Sequence, residues 1–466
     1  MAEASVFSGN LVVIGFGSIA RATLALLLQQ RTVLLRNITV IAPELDKPQW
    51  FNKHGIVFIE ASLDEDNHEA LLDRYVDPGD FLLNLSVDVS SLALITYAAR
   101  TGALYLDTCI EPWAGGYTDQ SLSAAQRTNY AFRQQMLELR KRLGKGPTAV
   151  VAHGANPGLI SHLLKAALMR LAGELKHPVP MTDGQVHWAR LATDMQIKVI
   201  HIAEHDTQRS RLPKKTGEFV NTWSVDGFIS EGGQCAELAL GTHERQRPRG
   251  AHAHRLGTKN ALYLDRSSAT LPVKTWTPVA GSCLGLMITH HETSSLADLL
   301  TLRKHGAVMY RPTLYYAYRC CDDALLSINE WLGNNGAAPR SKRVMGDDVI
   351  SGGVDALGIL LVGHQHNAYW FGSMLSVDQA RALLPFNTAT SLQVAAGVFA
   401  GMAWAVRHPD RGIVEAEDMD FTSVLEDALP YLGDMVAQQT DWRPTGPSGT
   451  HDDLEQPWQF AHFTLE

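Results

Sequence analysis

Two sets of residues in this 466-residue chain could do chemistry together. The first is a turn in which Gly15, Gly17 and Ala20 follow an apolar run and precede a helical one. In the Gly-x-Gly-x-x-Gly/Ala pattern the first glycine makes the turn, the second admits a pyrophosphate against the backbone, and a small third residue lets helix and strand pack closely. The unpaired N–H groups of Ser18 and Ile19 then face the anion at the positive end of a helix. A dinucleotide is the ligand this spacing expects. The second set is a scatter of acidic, indole and imidazole side chains: Glu204, Trp223, Glu231, His290 and Glu292. Carboxylates and an indole face hold cations, and an imidazole moves protons near neutral pH. Taken singly, each is equally what a salt-bridged carboxylate, a core tryptophan or a backbone-satisfied histidine looks like.

The elements that must position the first set are strands at residues 11–14, 38–42, 55–59, 80–85 and 103–107, separated by helical stretches such as 67–76 and 90–100. Such alternation predicts a parallel sheet covered on both faces, a Rossmann-type α/β unit over residues 8–152. Ligands bind beyond the carboxyl ends of such strands, which puts Ser86, Asp88, Thr108 and Glu111 in the crevice. The acidic residue that would hold a ribose is absent at Ala42, and Glu44 comes two positions late. No arginine follows that strand to meet a 2′-phosphate, so NAD is favoured over NADP. Residues 121–145 are expected to form a polar helix whose basic end is a solvated, dipole-matched cap. A strand at residues 148–152 then runs into His153, Asn156, Pro157 and Gly158, a turn that opens a helix over 159–171 beside the cofactor.

From about residue 180 the pattern becomes β-rich, as expected of a second, mixed α+β domain. Period-two alternation places Glu204 on the face of Ile200 and Ile202, Trp223 on that of Phe219, Asn221 and Val225, and His290 with Glu292 on that of Leu286 and Ile288, with His291 pointing away. Glu231 is expected to follow a turn at residues 227–230. Residues 244–254 and 333–347 read as surface loops, residues 389–406 as an apolar helix rich in small residues, and the tail from Asp441 as irregular. His252 with His254 and His364 with His366 lack the spacing of a recognised metal site, so no metal is expected.

A formal charge of −9 argues against nucleic acid and leans towards cationic ligands. Five cysteines without Cys-x-x-Cys spacing predict neither a disulfide framework nor structural zinc, and fit a reducing compartment. The start has no basic region followed by an apolar run, and no 18-residue apolar stretch is expected anywhere, so neither export nor a membrane span is predicted. A cytoplasmic protein is the expectation.

The ordered set Gly15-x-Gly17-x-x-Ala20, Asn84 to Asp88, Glu111 with Trp113, Ala155-Asn156-Pro157, Glu204 with Asp206, Asn221 to Trp223, Thr289-His290 and the Tyr315-Tyr-Ala-Tyr run resembles the bacterial homospermidine synthases, relatives of the saccharopine dehydrogenases. The likeness runs from about residue 10 to residue 444. It implies a homodimer with tightly held NAD, in which putrescine is oxidised, condenses with a second putrescine as ammonia leaves, and the new imine is reduced to sym-homospermidine. It also implies cofactor contacts from Gly15, Gly17, Ser18, Ile19, Asn84, Ser86, Asp88, Thr108 and Ala155. Diamine contacts would come from Glu111, Glu204, Trp223, Glu231 and Asp355, with Asn156, His290 and Glu292 at the reacting carbon. The family carries Asp at Ala42 and Asn at His291, two departures in this chain. The domains implied are 8–152 for NAD, 153–394 for substrate and dimerisation, and 395–466 packing back on the first.

That chemistry is coherent from below. Each end of putrescine titrates near the lysine value of about 10.4, so freeing the reacting amine at pH 7 costs roughly 4 to 5 kcal/mol. Only that end needs neutralising, and the distal ammonium can stay charged between carboxylates and the indole. An alternative is a saccharopine- or carboxynorspermidine-type imine reductase using NAD(P)H, whose carboxylate-bearing substrates would call for arginines such as Arg209, Arg211 and Arg311 in the pocket.

Overall fold

The computed structural model describes residues 7–30, 38–44, 48–182, 184–445 and 455–465. The chain start and part of the tail on which sequence expectations were stated, residues 1–6 and 446–454, lie outside them. The first sheet grows from short apolar runs, β1 (Leu11–Ile14), β2 (Ile38–Ala42), β3 (Val57–Glu60), β4 (Phe81–Asn84), β5 (Leu104–Asp107) and β6 (Ala149–Val150), buried except in the edge strand β3. Between them run α1 (Ser18–Gln30), α2 (Ser91–Thr101) and α3 (Asn129–Leu143). Each helix has local reasons to start and stop. The Ser90 hydroxyl accepts from Ala93 N–H at the start of α2, and Gly102 ends it at φ +82°.

The second part of the chain opens with α4 (Leu159–Glu174) and continues through β7 (Val199–Asp206), α5 (Val225–Gly233), β8 (Cys235–Leu238), β9 (Pro272–Thr277), β10 (Gly281–Leu286), α6 (Glu292–Leu299), β11 (Thr313–Arg319), β12 (Val354–His364) and β13 (Asn367–Ser376). A 19-residue helix, α7 (Ala389–Arg407), then leads to β14 (Ile413–Val414) and β15 (Asp434–Thr440). The first sheet is parallel throughout, in the order β14-β6-β5-β4-β1-β2-β3. The second is mixed, in the order β9-β10-β11-β7-β12-β13-β15, with β11 and β7 parallel and the other pairs antiparallel. Apolar cores lie on both faces of each sheet. Both sheets therefore receive a strand from the last fifth of the chain.

Several local expectations change. The reading of residues 284–292 as one strand is corrected: β10 stops at Leu286, and Glu292 is the first residue of α6. Likewise the strand around Phe219 ends at Asn221, and residues 227–230 are not a turn but part of α5, where the Ser224 hydroxyl caps Gly227 N–H at 3.0 Å. Glu231 therefore sits on a helix. Of the two expected surface loops, one contains strand Ala251–Ala253 and the other Ser341–Val344.

Helix α7 is long and apolar enough to cross a membrane, contrary to the expectation that no such stretch exists, yet 83% of it is buried inside the molecule. It is a core helix. Its small residues let it press on neighbouring backbone: a Cβ added at Gly397 would lie 2.0 Å from the Gly154 carbonyl oxygen. The helix is continuous across residues 394 and 395 and packs against α1.

Candidate active site

A cavity of about 390 Å³ opens between the two sheets at the point where strand order reverses between β1 and β4. Its first end is made of backbone. Gly15 sits at φ +89°, and a Cβ there would lie 3.0 Å from Leu85 O and the Ser86 backbone, so only glycine fits without strain. At Gly17 an added Cβ would meet nothing within 4 Å, which leaves open space against the first N–H groups of α1. Asn84 does not line the cavity. It holds Ser86, which does, by accepting from the Ser86 hydroxyl at 2.6 Å and N–H at 3.2 Å. Thr108 and Ala155 line the same end, while Asp88 is exposed at φ +61° outside the lining. Pro43 lines the cavity next to the end of β2, and Glu44 is exposed. The open glycine turn, the free helix end and the absence of any crowding side chain fit a dinucleotide pyrophosphate.

The opposite end is made of side chains. Glu204, 3% exposed, accepts from the Tyr316 hydroxyl at 2.6 Å and from Asn156 Nδ2 at 2.9 Å, both on Oε2. The Asn156 turn that makes this contact is the one pressed by Gly397 of α7. Burial pushes the Glu204 carboxyl up to about 7. The same cause raises Glu111 to about 7; it accepts from the Cys109 thiol at 3.0 Å, and its N–H donates to the Ser91 hydroxyl at 3.0 Å.

His290 lies between two carboxylates, with Nε2 3.2 Å from Glu231 Oε2 and Nδ1 3.3 Å from Glu292 Oε2. Burial opposes its charge, but the two carboxylates outweigh burial and hold the imidazolium up to about 10. The Tyr316 ring is 4.6 Å from that of His290 and stacks on Tyr318 at 5.5 Å. The Trp223 indole N–H donates to the Tyr318 hydroxyl at 3.3 Å, which turns its ring towards the cavity it lines.

Asn156, Glu111, Glu204, Trp223, Glu231 and His290 thus meet in one cavity with Gly15, Gly17, Ser18 and Ile19. Two residues of the expected set stand behind the lining. Glu292, 1% exposed, reaches the cavity through His290. Asp355 is fully buried and accepts from Thr390, which lines the cavity; it is raised well above the usual range by burial beside Glu204 and Asp206. Thr390 and Asp226 were not singled out by sequence reasoning, and Tyr316 and Tyr318 entered it only as members of the Tyr315-Tyr-Ala-Tyr run, with no site role. Strand alternation at residues 315–318 would have put both tyrosines on one face, but nothing local says that the face looks at Glu204. No Arg or Lys is among the described residues lining the cavity.

Residues 11–150 match the saccharopine dehydrogenase NADP-binding domain and residues 154–440 the saccharopine dehydrogenase C-terminal domain. The chain is 44% identical over 465 residues to the homospermidine synthase of Blastochloris viridis, covering 98% of this chain and 97% of that one. It is 42% identical to the homospermidine synthase of Mesorhizobium japonicum, covering 98% and 96%. The crystal structure of the homospermidine synthase from Legionella pneumophila in complex with NAD superposes with a TM-score of 0.92 at 39% identity, covering 100% of both chains. The saccharopine dehydrogenase of Saccharomyces cerevisiae shares the fold at a TM-score of 0.50 and 13% identity.

Proposed function

The chain belongs to the homospermidine synthases within the saccharopine dehydrogenase-like family, and we propose on that footing that its cleft joins two putrescines into sym-homospermidine with release of ammonia. The single observation that carries the substrate class is the lining: buried carboxylates and an indole opposite a glycine turn, with no arginine or lysine among the described residues that line it. An amino-acid imine reductase would need guanidinium groups there. Arg311 instead donates to the Leu240 carbonyl oxygen at 3.2 Å, and neither it nor Arg209 or Arg211 lines the cleft.

When bound against Gly15, Gly17, Ser18 and Ile19, NAD supplies a hydride acceptor for amine oxidation and a hydride donor for imine reduction. The chain's own groups do the rest. Glu204, raised to about 7 and aimed by Tyr316 and Asn156, is set to take the proton from the near ammonium and return it to the new amine. His290 is charged at neutral pH, so it acts as a proton donor and not as the base that its reference pKa near 6.5 implies. As an imidazolium fixed by Glu231 and Glu292, it protonates the departing nitrogen. Trp223, Glu231 and Glu111 hold ammonium ends. Thr390 couples Asp355 to this wall.

The same reading includes a homodimer, a cytoplasmic location for its five free thiols, and division into the units 8–152, 153–394 and 395–466. The test is to incubate the purified protein with putrescine and catalytic NAD, measuring products by mass spectrometry. Expected are sym-homospermidine and ammonia in equal amounts without net NADH. One NADH accumulating per product would overturn the internal recycling.

A further inference from the structure

The stretch 289–292 forms no regular structure before α6 begins, yet it carries His290 and the first residue of α6, Glu292. Its two other side chains reach away from the cleft to buried carboxylates. The Thr289 hydroxyl donates to Glu237 Oε1 at 2.9 Å. That carboxylate also accepts the backbone N–H of Asn129 at 2.8 Å and of Tyr130 at 3.0 Å, the opening residues of α3, where helix N–H groups have no internal partner. On the other side, His291 Nε2 lies 2.9 Å from Glu415 Oε1. Glu415 is gripped by Arg133, one turn further along α3, through Nε at 2.7 Å and Nη2 at 2.8 Å. The third arm of Arg133 donates to Asp298 at 2.7 Å and Ser294 at 3.2 Å, both on α6. Helix α3 therefore grips this stretch on either side of His290, and the chemistry above uses neither Glu237 nor Glu415.

We propose that α3 is a strut from the cofactor domain that positions His290, with Glu237–Thr289 and Glu415–His291 as its two positioning contacts. The proposal rests on the functional reading above for what His290 does, but not for where it stands. Its force comes from the length of the contacts being protected: His290 is only 3.2 and 3.3 Å from its two carboxylates. A displacement of about 1 Å detaches it and costs roughly 100-fold in rate when the group handles the transferred proton. The ion-paired groups facing His291 leave it little freedom. Glu415 and Arg133 lie beside it, and Glu417, held by the hydroxyls of Ser161 and Ser295 at 2.8 Å, is on the same turn. Around His290 stand Glu231 from α5, Glu292 from α6, Glu204 from β7 and the Tyr316 ring from β11.

The experiment compares His291→Leu, His291→Asn and Glu237→Gln with the wild-type full chain in its NAD-loaded form. Three quantities are measured: the pH profile of turnover on putrescine, NAD affinity, and the titration of the His290 ring by NMR without substrate. In His291→Leu, kcat falls roughly 10- to 100-fold with KM for putrescine within about 3-fold. The His290 titration, with the alkaline limb of the profile, moves to lower pH because the imidazolium has left its carboxylates. His291→Asn, which still offers an N–H to Glu415, restores most of both. NAD affinity is unchanged in all three. Glu237→Gln, with its charge gone from the end of α3, shows the same shift in smaller measure and carries the test if His291→Leu does not fold. An unmoved His290 titration in the Leu variant, or equal losses in the Leu and Asn variants, overturns the strut. If the wild type leaves putrescine unchanged while the NMR shifts appear as described, the functional reading fails and the strut stands.

Discussion

The two ends of the cleft are built from different parts of the polypeptide. Towards the cofactor the contacts are backbone: a glycine at φ +89°, a second glycine with nothing within 4 Å, and the open end of α1. Towards the diamine they are side chains drawn from the stretch after β5, from β7, α5, the start of α6 and β11, most of them buried and several with displaced titration. A pyrophosphate carries the same charge through every step, so fixed dipoles suffice for it. An amine that must lose and regain a proton needs groups whose own protonation sits near the working pH.

The largest effect expected from that contrast is in Glu204→Gln. The amide keeps the size and one acceptor for Tyr316 but cannot titrate. Turnover on putrescine should fall on the order of 100- to 1,000-fold, while NAD binding, measured by fluorescence or calorimetry, stays within about 2-fold. A parallel loss of NAD affinity would mean that the two ends are not separate devices.

The contrast also governs what could be read in the residues alone. The glycine turn, its strand and its helix lie within about twenty consecutive positions, so spacing identifies them, and the parallel sheet follows from the strand–helix alternation. The amine end has no such locality: Tyr316 and Glu204 are 112 positions apart and touch only because β11 pairs with β7. His290 and Glu292 were grouped by strand alternation, whereas they meet through a chain bend at the start of α6. Arg133 shows the deepest limit. It sits in a helix whose pattern reads as polar and solvated, yet it is 3% exposed. Its partners Glu415 and Asp298 are far along the chain, and a charge is recognisable as buried only once they are in place.

A smaller effect sharpens the cofactor side. Gly17 has ordinary backbone geometry and free space around its Cα, so Gly17→Ala should leave the melting temperature of the unliganded protein unchanged within about 1 °C. With NAD the added methyl enters the space of the pyrophosphate, and affinity should drop roughly 10-fold or more. A destabilised apoprotein with normal NAD affinity would show that the space above Gly17 is not the phosphate site.

The smallest and most diagnostic difference concerns pH. Burial raises Glu111, Glu204 and Glu237 to about 7, and Asp107 and Asp206 to about 6. A carboxyl whose pKa is higher folded than unfolded binds an extra proton in the folded state, so it lowers stability as pH rises from about 4 to its folded value. Buried histidines act in the opposite sense over an overlapping window. His153, His205, His243, His254 and His364 are lowered to about 4 and His201 to about 3, so stability rises with pH until the unfolded imidazoles are neutral near 6.5. The two sets offset each other below that point. Above it the carboxyls near 7 and Asp355, raised well above the usual range, continue to cost stability, and His290, raised to about 10, loses its contribution as pH climbs from 6.5 through 10. The melting temperature should therefore peak near pH 6.5 and fall by on the order of 1 to 3 °C towards pH 8.5. Putrescine is a dication throughout this range, so it should stabilise the protein more at pH 8.5 than at pH 6, because Glu204 and Glu111 are then ionised without a counter-charge. The increment from NAD should depend less on pH, since the turn that meets its pyrophosphate is backbone. A putrescine increment that does not grow with pH, measured by calorimetry at saturating ligand, would remove the titrating carboxylates from the diamine site and with them the distinction between the two ends.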